Sequence, residues 1–174
     1  MNDRDRILVA CVGNIFLGDD GFGVEVARHL ADRPLPAGVQ LADIGIRGIH
    51  LAYELLDGCE LLILVDAAPH GQPPGTVSVI EVGPETVAPP RPVIDAHGLA
   101  PDDVFTLLDQ LDARPERTIV VACEPGDVTS GMTLTPAVAA AVPHAVRAVE
   151  EILQAETAGG GPTQRPQNAR EWTA

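Results

Sequence analysis

Carboxylates and an imidazole stand beside predicted secondary-structure elements at three points of the chain. Asp19 and Asp20 follow the first apolar segment, and Asp66 follows the most apolar one. His97 precedes a helical stretch. Carboxylate oxygens and an imidazole nitrogen are suitable donors for a divalent metal, and such a set leaves positions open for water or substrate. The residue types do not choose among Zn, Fe, Mn and Ni, because the affinities of these ions follow one general order.

The same residues also have structural roles open to them. Aspartate is a favoured helix N-cap, so one of the pair could simply cap the first helix. The structural and the functional interpretation both hold if Asp19 caps the helix and Asp20 faces the crevice. Asp66 could instead accept backbone hydrogen bonds in a turn. Asp95, two residues before His97, is placed to accept the other ring N–H and orient the imidazole. The remaining histidines are expected to be surface or edge side chains: His29, His50, His70 and His144.

Strands and helices alternate along the chain, and this order positions the candidate residues. Continuous apolar runs and period-two alternation predict strands, and apolar residues at helical spacing predict helices. The predicted strands are Ile7–Val12, Val39–Ile44, Leu61–Val65, Thr76–Val82 and Thr118–Cys123. The predicted helices are Gly21–Ala31, Ile49–Leu56, Val104–Leu111 and Pro136–Gln154. We expect the last helix to break or restart at Pro143, because proline lacks a backbone N–H.

This alternation predicts an α/β protein, a three-layer α/β/α sandwich around a mostly parallel twisted sheet. The short connection before Thr76 indicates one antiparallel strand, since a parallel return needs a crossover of a dozen or more residues. In such sheets ligands bind at the carboxyl ends of the strands, so the candidate residues should converge there. Residues 1–156 are predicted to form one domain, and residues 157–174, which are polar and rich in Gly and Pro, a disordered tail.

Composition argues against several classes of function. The net charge of −14 disfavours a nucleic-acid partner and favours a partner with a basic patch or tail. The chain has no Lys, which excludes Schiff-base chemistry and the phosphate-binding P-loop. No apolar run approaches the roughly 20 residues that span a bilayer, and no signal peptide is recognisable. We therefore expect a cytoplasmic protein that has no membrane partner and is a monomer.

Nucleophilic and nucleotide-binding chemistry find less support. Ser78 and Ser130 lack the G-x-S-x-G setting of a nucleophilic serine, and Cys123 has the setting of a small buried hydrophobe. The glycines near Gly13 suggest a nucleotide-binding domain as an alternative. Against it, the G-x-G-x-x-G spacing is absent, and the adjacent Asp pair would repel a pyrophosphate.

Four motifs in register resemble those of the hydrogenase maturation proteases. The matching residues are Gly13, Asn14, Leu17–Gly21 and Gly23, then Leu64–Ala67, His97–Leu99 and Leu134–Val138. The resemblance covers about residues 6–154, in the order and spacing of the family. Two positions depart from the family pattern. Thr133 stands where a Gly often precedes the last motif, and Phe16 replaces a more usual Leu beside the site.

The resemblance implies a five-stranded sheet between helices and an endopeptidase that removes a C-terminal peptide. Its substrate would be the nickel-loaded large-subunit precursor of a [NiFe] hydrogenase. By motif, Asp20, Asp66 and His97 would bind nickel, which the precursor can supply in place of a permanently held cofactor. Hydrolysis could use a metal-activated water, or Asp20 or Asp66 as general base. A non-catalytic, nickel-dependent maturation chaperone would use the same ligands, so this alternative stays open.

Overall fold

Strands rich in Val, Leu and Ile form one mixed sheet at the centre of the protein. The computed structural model describes residues 6–46, 48–82, 114–158 and 170–172. The strands are β1 (Ile7–Val12), β2 (Val39–Gly45), β3 (Leu61–Ala67), β4 (Val77–Val82), β5 (Arg117–Cys123) and β6 (Arg170–Trp172). They lie in the order β2-β1-β3-β5-β4-β6.

Parallel pairing dominates this sheet. β1 pairs in parallel with β2 and with β3, and β3 pairs in parallel with β5. β4 is antiparallel, and its partner is β5 rather than the preceding strand β3. The predicted fold class is confirmed: four parallel strands and one antiparallel strand form a five-stranded sheet, to which the short β6 adds at one edge.

Helices cover both faces of the sheet, and the side chains of each strand alternate between two apolar cores. The helices are α1 (Phe22–Ala31), α2 (Gly48–Leu56) and α3 (Pro136–Ala158). Val9 and Ile63 pack in the core that contains residues of α1 and α3. Leu8 and Leu62 pack in the smaller core on the other face, with Leu51 of α2. This period-two partition is what a sheet buried on both faces requires.

The last helix runs without a break through Pro143, so the predicted interruption is wrong. Pro143 and Ala139, whose carbonyl loses its partner N–H, both lie on the exposed face of α3. The opposite face carries a buried row of small apolar residues that packs against the sheet: Val138, Ala141, Val142, Ala145, Val146, Val149 and Leu153. Water can hydrate the freed carbonyl, and packing of the buried face keeps the helix continuous.

The chain departs from the predicted tail at two places. Helix α3 continues to Ala158, beyond the predicted domain boundary at residue 156. Residues Arg170–Trp172 form β6, which pairs antiparallel with β4, so this part of the predicted disordered tail is a strand. The unpaired backbone groups of an edge strand explain why a short segment can add there. The predicted helix Val104–Leu111 lies outside the described residues. No helix in the described ranges is long and apolar enough to cross a membrane.

The first turn of α1 packs against the carboxyl ends of two strands at Gly23. A Cβ atom built on Gly23 would overlap the carbonyl oxygen of Val12 and would lie 2.8 Å from that of Val65. Only glycine permits this approach, since the neighbouring atoms are backbone atoms of β1 and β3. The contact fixes where α1 begins relative to the sheet.

We predict that Gly23→Ala destabilises the protein by about 3 kcal/mol or more, because the new methyl group overlaps two strand carbonyls. Helix propensity alone predicts the opposite, a gain of about 1 kcal/mol. The free energy of unfolding from urea titration measures the difference. Gly131→Ala is the matched control, since the nearest atom to its Cβ would be the carbonyl oxygen of Thr129 at 3.9 Å. Equal unfolding midpoints for wild type and Gly23→Ala would contradict the packing described here.

Candidate active site

Asp20 lies in the connection between β1 and α1, at the carboxyl edge of the sheet. A 3-10 turn, Gly18–Gly21, precedes α1. The backbone N–H of Asn14 donates to Asp20 Oδ2 at 3.0 Å and to the Asp20 carbonyl at 3.1 Å. A Cβ on Gly13 would overlap that same carbonyl, so only glycine lets the turn fold back so tightly. These contacts orient a half-buried Asp20 carboxylate at the strand end.

Asp66 occupies the penultimate position of β3 and is only 3% exposed. The sequence predicts a strand that ends at Val65, whereas the ladder continues and pairs Asp66 with Ala122 of β5. The residue is therefore a strand residue and not part of a turn. Its carboxylate is placed at the edge of the sheet where the connections after β1, β3 and β5 gather.

The structure brings the connection that carries Asp20 to the end of the strand that carries Asp66. The 3-10 turn contacts β3, and Gly23 packs directly on the carbonyl of Val65, the residue before Asp66. β1 and β3 are also neighbours in the sheet. Asp20 and Asp66 therefore lie at the same edge, as the topology predicts.

The proposed third ligand, His97, lies outside the described residues, as does Asp95. Among the residues that the structure describes, no group of three or more His, Cys, Asp or Glu side chains is arranged to hold a metal. A site with three protein donors would therefore need a donor from outside the described residues, and His97 is the candidate that the sequence offers. The convergence of Asp20, Asp66 and His97 stays a prediction.

Asp19 does not cap the first helix. Gly21 is the N-cap of α1, and no side chain makes a capping bond there. The carboxylate of Asp19 is fully buried and instead binds the connection that follows β5. Its Oδ2 accepts from the backbone N–H groups of Gly126 at 2.8 Å and Asp127 at 2.9 Å. Thr135 donates its N–H to Oδ1 at 2.6 Å and its hydroxyl to Oδ2 at 2.9 Å.

These four hydrogen bonds join two connections at the carboxyl edge of the sheet. A buried carboxylate is costly unless several donors compensate it, and hydrogen bonds to a charged acceptor are the strong ones. The backbone N–H of Asp19 also donates to the carbonyl of Asp127 at 2.8 Å. Asp19 therefore holds the loop 124–135 against the turn that presents Asp20. Sequence reasoning missed this role, because no local pattern links position 19 to positions 126–135.

A second polar cluster fixes the connection after β3. Glu124, directly after β5, accepts from the backbone N–H of His70 at 2.7 Å and of Gln72 at 3.1 Å. His70 Nδ1 donates to the Ala68 carbonyl at 2.7 Å, and Nε2 lies 2.9 Å from Ser78 Oγ. The His70 side chain is 20% exposed at this edge, and both of its ring nitrogens have hydrogen-bond partners.

This cluster is structural and does not supply a nucleophile. Ser78 lies in β4 and is buried, so its hydroxyl is not accessible to a substrate. The sequence carries a signal for Glu124 alone, a carboxylate directly after the predicted strand Thr118–Cys123, and none for its partners His70 and Gln72. The result is that the loop after Asp66 is bound to the end of β5.

The buried cysteines have no nucleophilic role at this edge. Burial raises the pKa of the Cys123 thiol to about 12, and nearby Asp19 and Glu124 act in the same direction. Burial likewise raises the pKa of Cys11 to about 12. Both thiols are therefore protonated at neutral pH. The groups left to do chemistry at the described edge are the carboxylates, which can accept a proton from water or bind a cation.

Comparisons with known proteins agree with this architecture. The hydrogenase maturation protease family, HycI, matches residues 24–152. The hydrogenase expression/formation protein HupD of Rhodobacter capsulatus is 31% identical over 151 residues, which cover 85% of this chain and 71% of HupD. HupD of Rhizobium leguminosarum is 31% identical over 167 residues, which cover 94% of this chain and 81% of that protein.

Solved structures give the same result. The hydrogenase maturating endopeptidase HybD from E. coli superposes with a TM-score of 0.72 at 28% identity, covering 86% of this chain and 93% of HybD. The hydrogenase 2 maturation peptidase of a Thaumarchaeota archaeon gives 0.66 at 29% identity, covering 85% and 97%. These similarities extend over nearly the whole described domain and include its mixed sheet. The chain belongs to the hydrogenase maturation protease family and is an endopeptidase of hydrogenase maturation.

Proposed function

We propose that this endopeptidase removes the C-terminal peptide of a nickel-loaded [NiFe] hydrogenase large-subunit precursor. In this proposal Asp20, Asp66 and His97 bind the nickel that the precursor carries. The main observation in support is that Asp20 and Asp66, far apart in sequence, lie at one edge of the sheet in connections held by hydrogen bonds. Membership of the maturation protease family supports the choice of substrate.

The donor set is compatible with nickel. Two carboxylates and an imidazole are ligands that divalent first-row metals accept, and they leave positions for groups of the substrate. Asp66 is buried, so few water molecules compete with a metal ion for its carboxylate oxygens. In this proposal the three side chains bind the precursor through its nickel. The protein would therefore recognise only a precursor into which nickel has already been inserted. In this proposal nickel is part of the substrate and not a cofactor of this chain.

The carboxylates also offer a route to hydrolysis. Peptide cleavage needs a water that loses a proton and a carbonyl that is polarised. Asp20 or Asp66 can accept the proton from the attacking water as general base. A divalent metal at the site would supply Lewis acidity to the carbonyl or the water. In both routes the chain's own residues orient the water and accept its proton at a carboxylate oxygen.

The decisive experiment compares the C-terminal mass of a precursor before and after incubation with the purified protein. Nickel-loaded and nickel-free large-subunit precursors are the two substrates, and intact mass spectrometry is the readout. We expect loss of a single C-terminal peptide from the nickel-loaded precursor only. Cleavage of both forms would contradict nickel-dependent recognition, and stable binding without any mass change would favour a chaperone.

We predict that Asp20→Asn, Asp66→Asn and His97→Ala each lower the rate of precursor processing about 100-fold or more. The aspartate variants remove an anionic donor at nearly constant volume, and the amide introduced by Asp20→Asn keeps an acceptor oxygen for the Asn14 N–H. The histidine variant removes a nitrogen donor. Processing rates follow from the mass assay, and the thermal midpoint of each variant checks the fold.

His29→Ala and His144→Ala are the matched controls for the histidine variant. The side chain of His29 is 48% exposed and lies near Glu25, and His144 contacts Arg147 on an exposed part of α3. Both controls should process precursor at the wild-type rate. A wild-type rate for His97→Ala would remove that residue from the proposed site.

A further inference from the structure

Large apolar side chains are exposed beside Asp20, at the edge of the sheet that carries the candidate site. Phe16, in the connection after β1, is 61% exposed, and Met132, in the connection after β5, is 72% exposed. Val128 of the latter connection is also exposed. We call Phe16, Val128 and Met132 the apolar platform. Exposed apolar residues that gather at one place mark interaction surfaces, whereas scattered ones need no explanation.

Backbone hydrogen bonds hold the two halves of the apolar platform together. Leu17 and Gly131 form a parallel β-bridge. The N–H of Gly18 donates to the Gly131 carbonyl at 2.9 Å, and the N–H of Gly131 donates to the Phe16 carbonyl at 3.0 Å. The buried carboxylate of Asp19 binds the same two connections from below. The exposure of these side chains is therefore a property of fixed backbone, and docking on them requires little ordering of the protein.

A small cavity opens beside the apolar platform. It has a volume of about 110 Å³, and its apolar walls are Ile15, Met132 and Leu134. Gly18 and Gly21, which begin and end the turn containing Asp20, line it as well. This volume is below the roughly 300–1,000 Å³ of small-molecule sites, and it fits the end of one side chain better than a metabolite. The cavity thus suits a side chain of a peptide whose backbone passes Asp20.

A negatively charged side chain adjoins the apolar platform, since Asp127 directly precedes Val128. Asp127 is fully exposed, and hydrogen bonds from the backbone N–H and the hydroxyl of Thr129 lower its pKa, so it is ionised at neutral pH. Arg28, a basic side chain that lines the cavity, is paired with Glu25 at 3.0 Å. An occupant that carries a basic side chain is therefore favoured over an acidic one.

We propose that the apolar platform docks an extended segment of the hydrogenase precursor in which a basic residue stands near an apolar one. The apolar side chain lies on Phe16 and Met132 and reaches into the cavity, and the basic side chain faces Asp127. A second copy of this chain is a poor occupant, because each copy has a net charge of −14 and presents the same acidic surface. This inference rests on the proposed function, since it assigns the docking surface of that same substrate.

The first test compares Phe16→Ser with Tyr53→Ser in the precursor-processing assay. Tyr53 of α2 is 64% exposed and lies away from the apolar platform, so it is matched to Phe16 in exposure and aromatic character. We expect Phe16→Ser to raise KM about tenfold, which corresponds to about 1.4 kcal/mol, and to change kcat less than about twofold. Tyr53→Ser should leave both constants at their wild-type values.

The outcomes separate this inference from the proposed function. If wild type neither binds nor cleaves the precursor, the proposed function fails. If wild type cleaves and Phe16→Ser has an unchanged KM, the docking surface is wrong while the function stands. Analytical ultracentrifugation of the free protein supplies the remaining outcome. A wild-type dimer that Phe16→Ser converts to a monomer would overturn the inference, because a second copy would then occupy the apolar platform.

The second test concerns the charge of Asp127. Salt screens attraction between exposed charges over about 10 Å at 0.1 M, so KM of the wild type should rise with salt. Asp127→Asn removes the charge and keeps an acceptor for the Thr129 N–H, which lies 2.8 Å from Asp127 Oδ1. We expect this variant to raise KM about threefold at low salt and to weaken its salt dependence. Glu151→Gln, an exposed acid on α3, is the control. Identical salt dependence in Asp127→Asn and wild type would contradict the charge assignment.

Discussion

The buried carboxylate of Asp19 is the contact on which the geometry of the described edge depends. It is fully buried, and its donors lie 107 to 116 positions further along the chain. A charge removed from water is tolerated only where donors compensate it. Separation of the two connections would leave this carboxylate buried without its partners. The Asp19 carboxylate therefore holds the turn that contains Asp20 and the loop after β5 in a fixed position relative to each other.

Asp19 and Asp20 are adjacent and chemically identical, yet the fold gives them different environments. A 3-10 turn sends consecutive side chains in different directions, so Asp19 points into the protein while Asp20 stays half-buried at the strand end. Asp19 meets backbone N–H groups and a hydroxyl from the loop after β5. Asp20 accepts the N–H of Asn14 within its own turn. The surroundings of the two neighbours, and not their residue type, therefore give Asp19 a structural role and place the Asp20 carboxylate half-buried at the edge.

The sequence predicted those features of the fold that depend on local patterns of apolar residues, namely the strands and the edge at which their connections meet. Strand β1 has the predicted bounds Ile7–Val12, because a continuous apolar run ends there at a glycine. Asp20 and Asp66 lie at the predicted edge, because parallel strands connected through helices expose the same ends of the sheet. The partners of Asp19 and the His70–Glu124 cluster were not predictable in this way. Both depend on contacts between residues more than fifty positions apart, which no local spacing encodes.

The same set of hydrogen bonds holds both the candidate catalytic edge and the apolar platform. The bridge between Leu17 and Gly131 and the hydrogen bonds of Asp19 lie between them. In the proposed reaction, a precursor segment docked on Phe16 and Met132 is held next to Asp20 without further ordering of the protein. Docking on the apolar platform supplies binding energy that the bound substrate and the transition state share, so its loss raises KM and leaves kcat nearly unchanged. Orientation at the peptide bond is the separate task of the groups at the edge, where Asp20 is held by the N–H of Asn14 and the adjacent Asp19 by the N–H of Thr135.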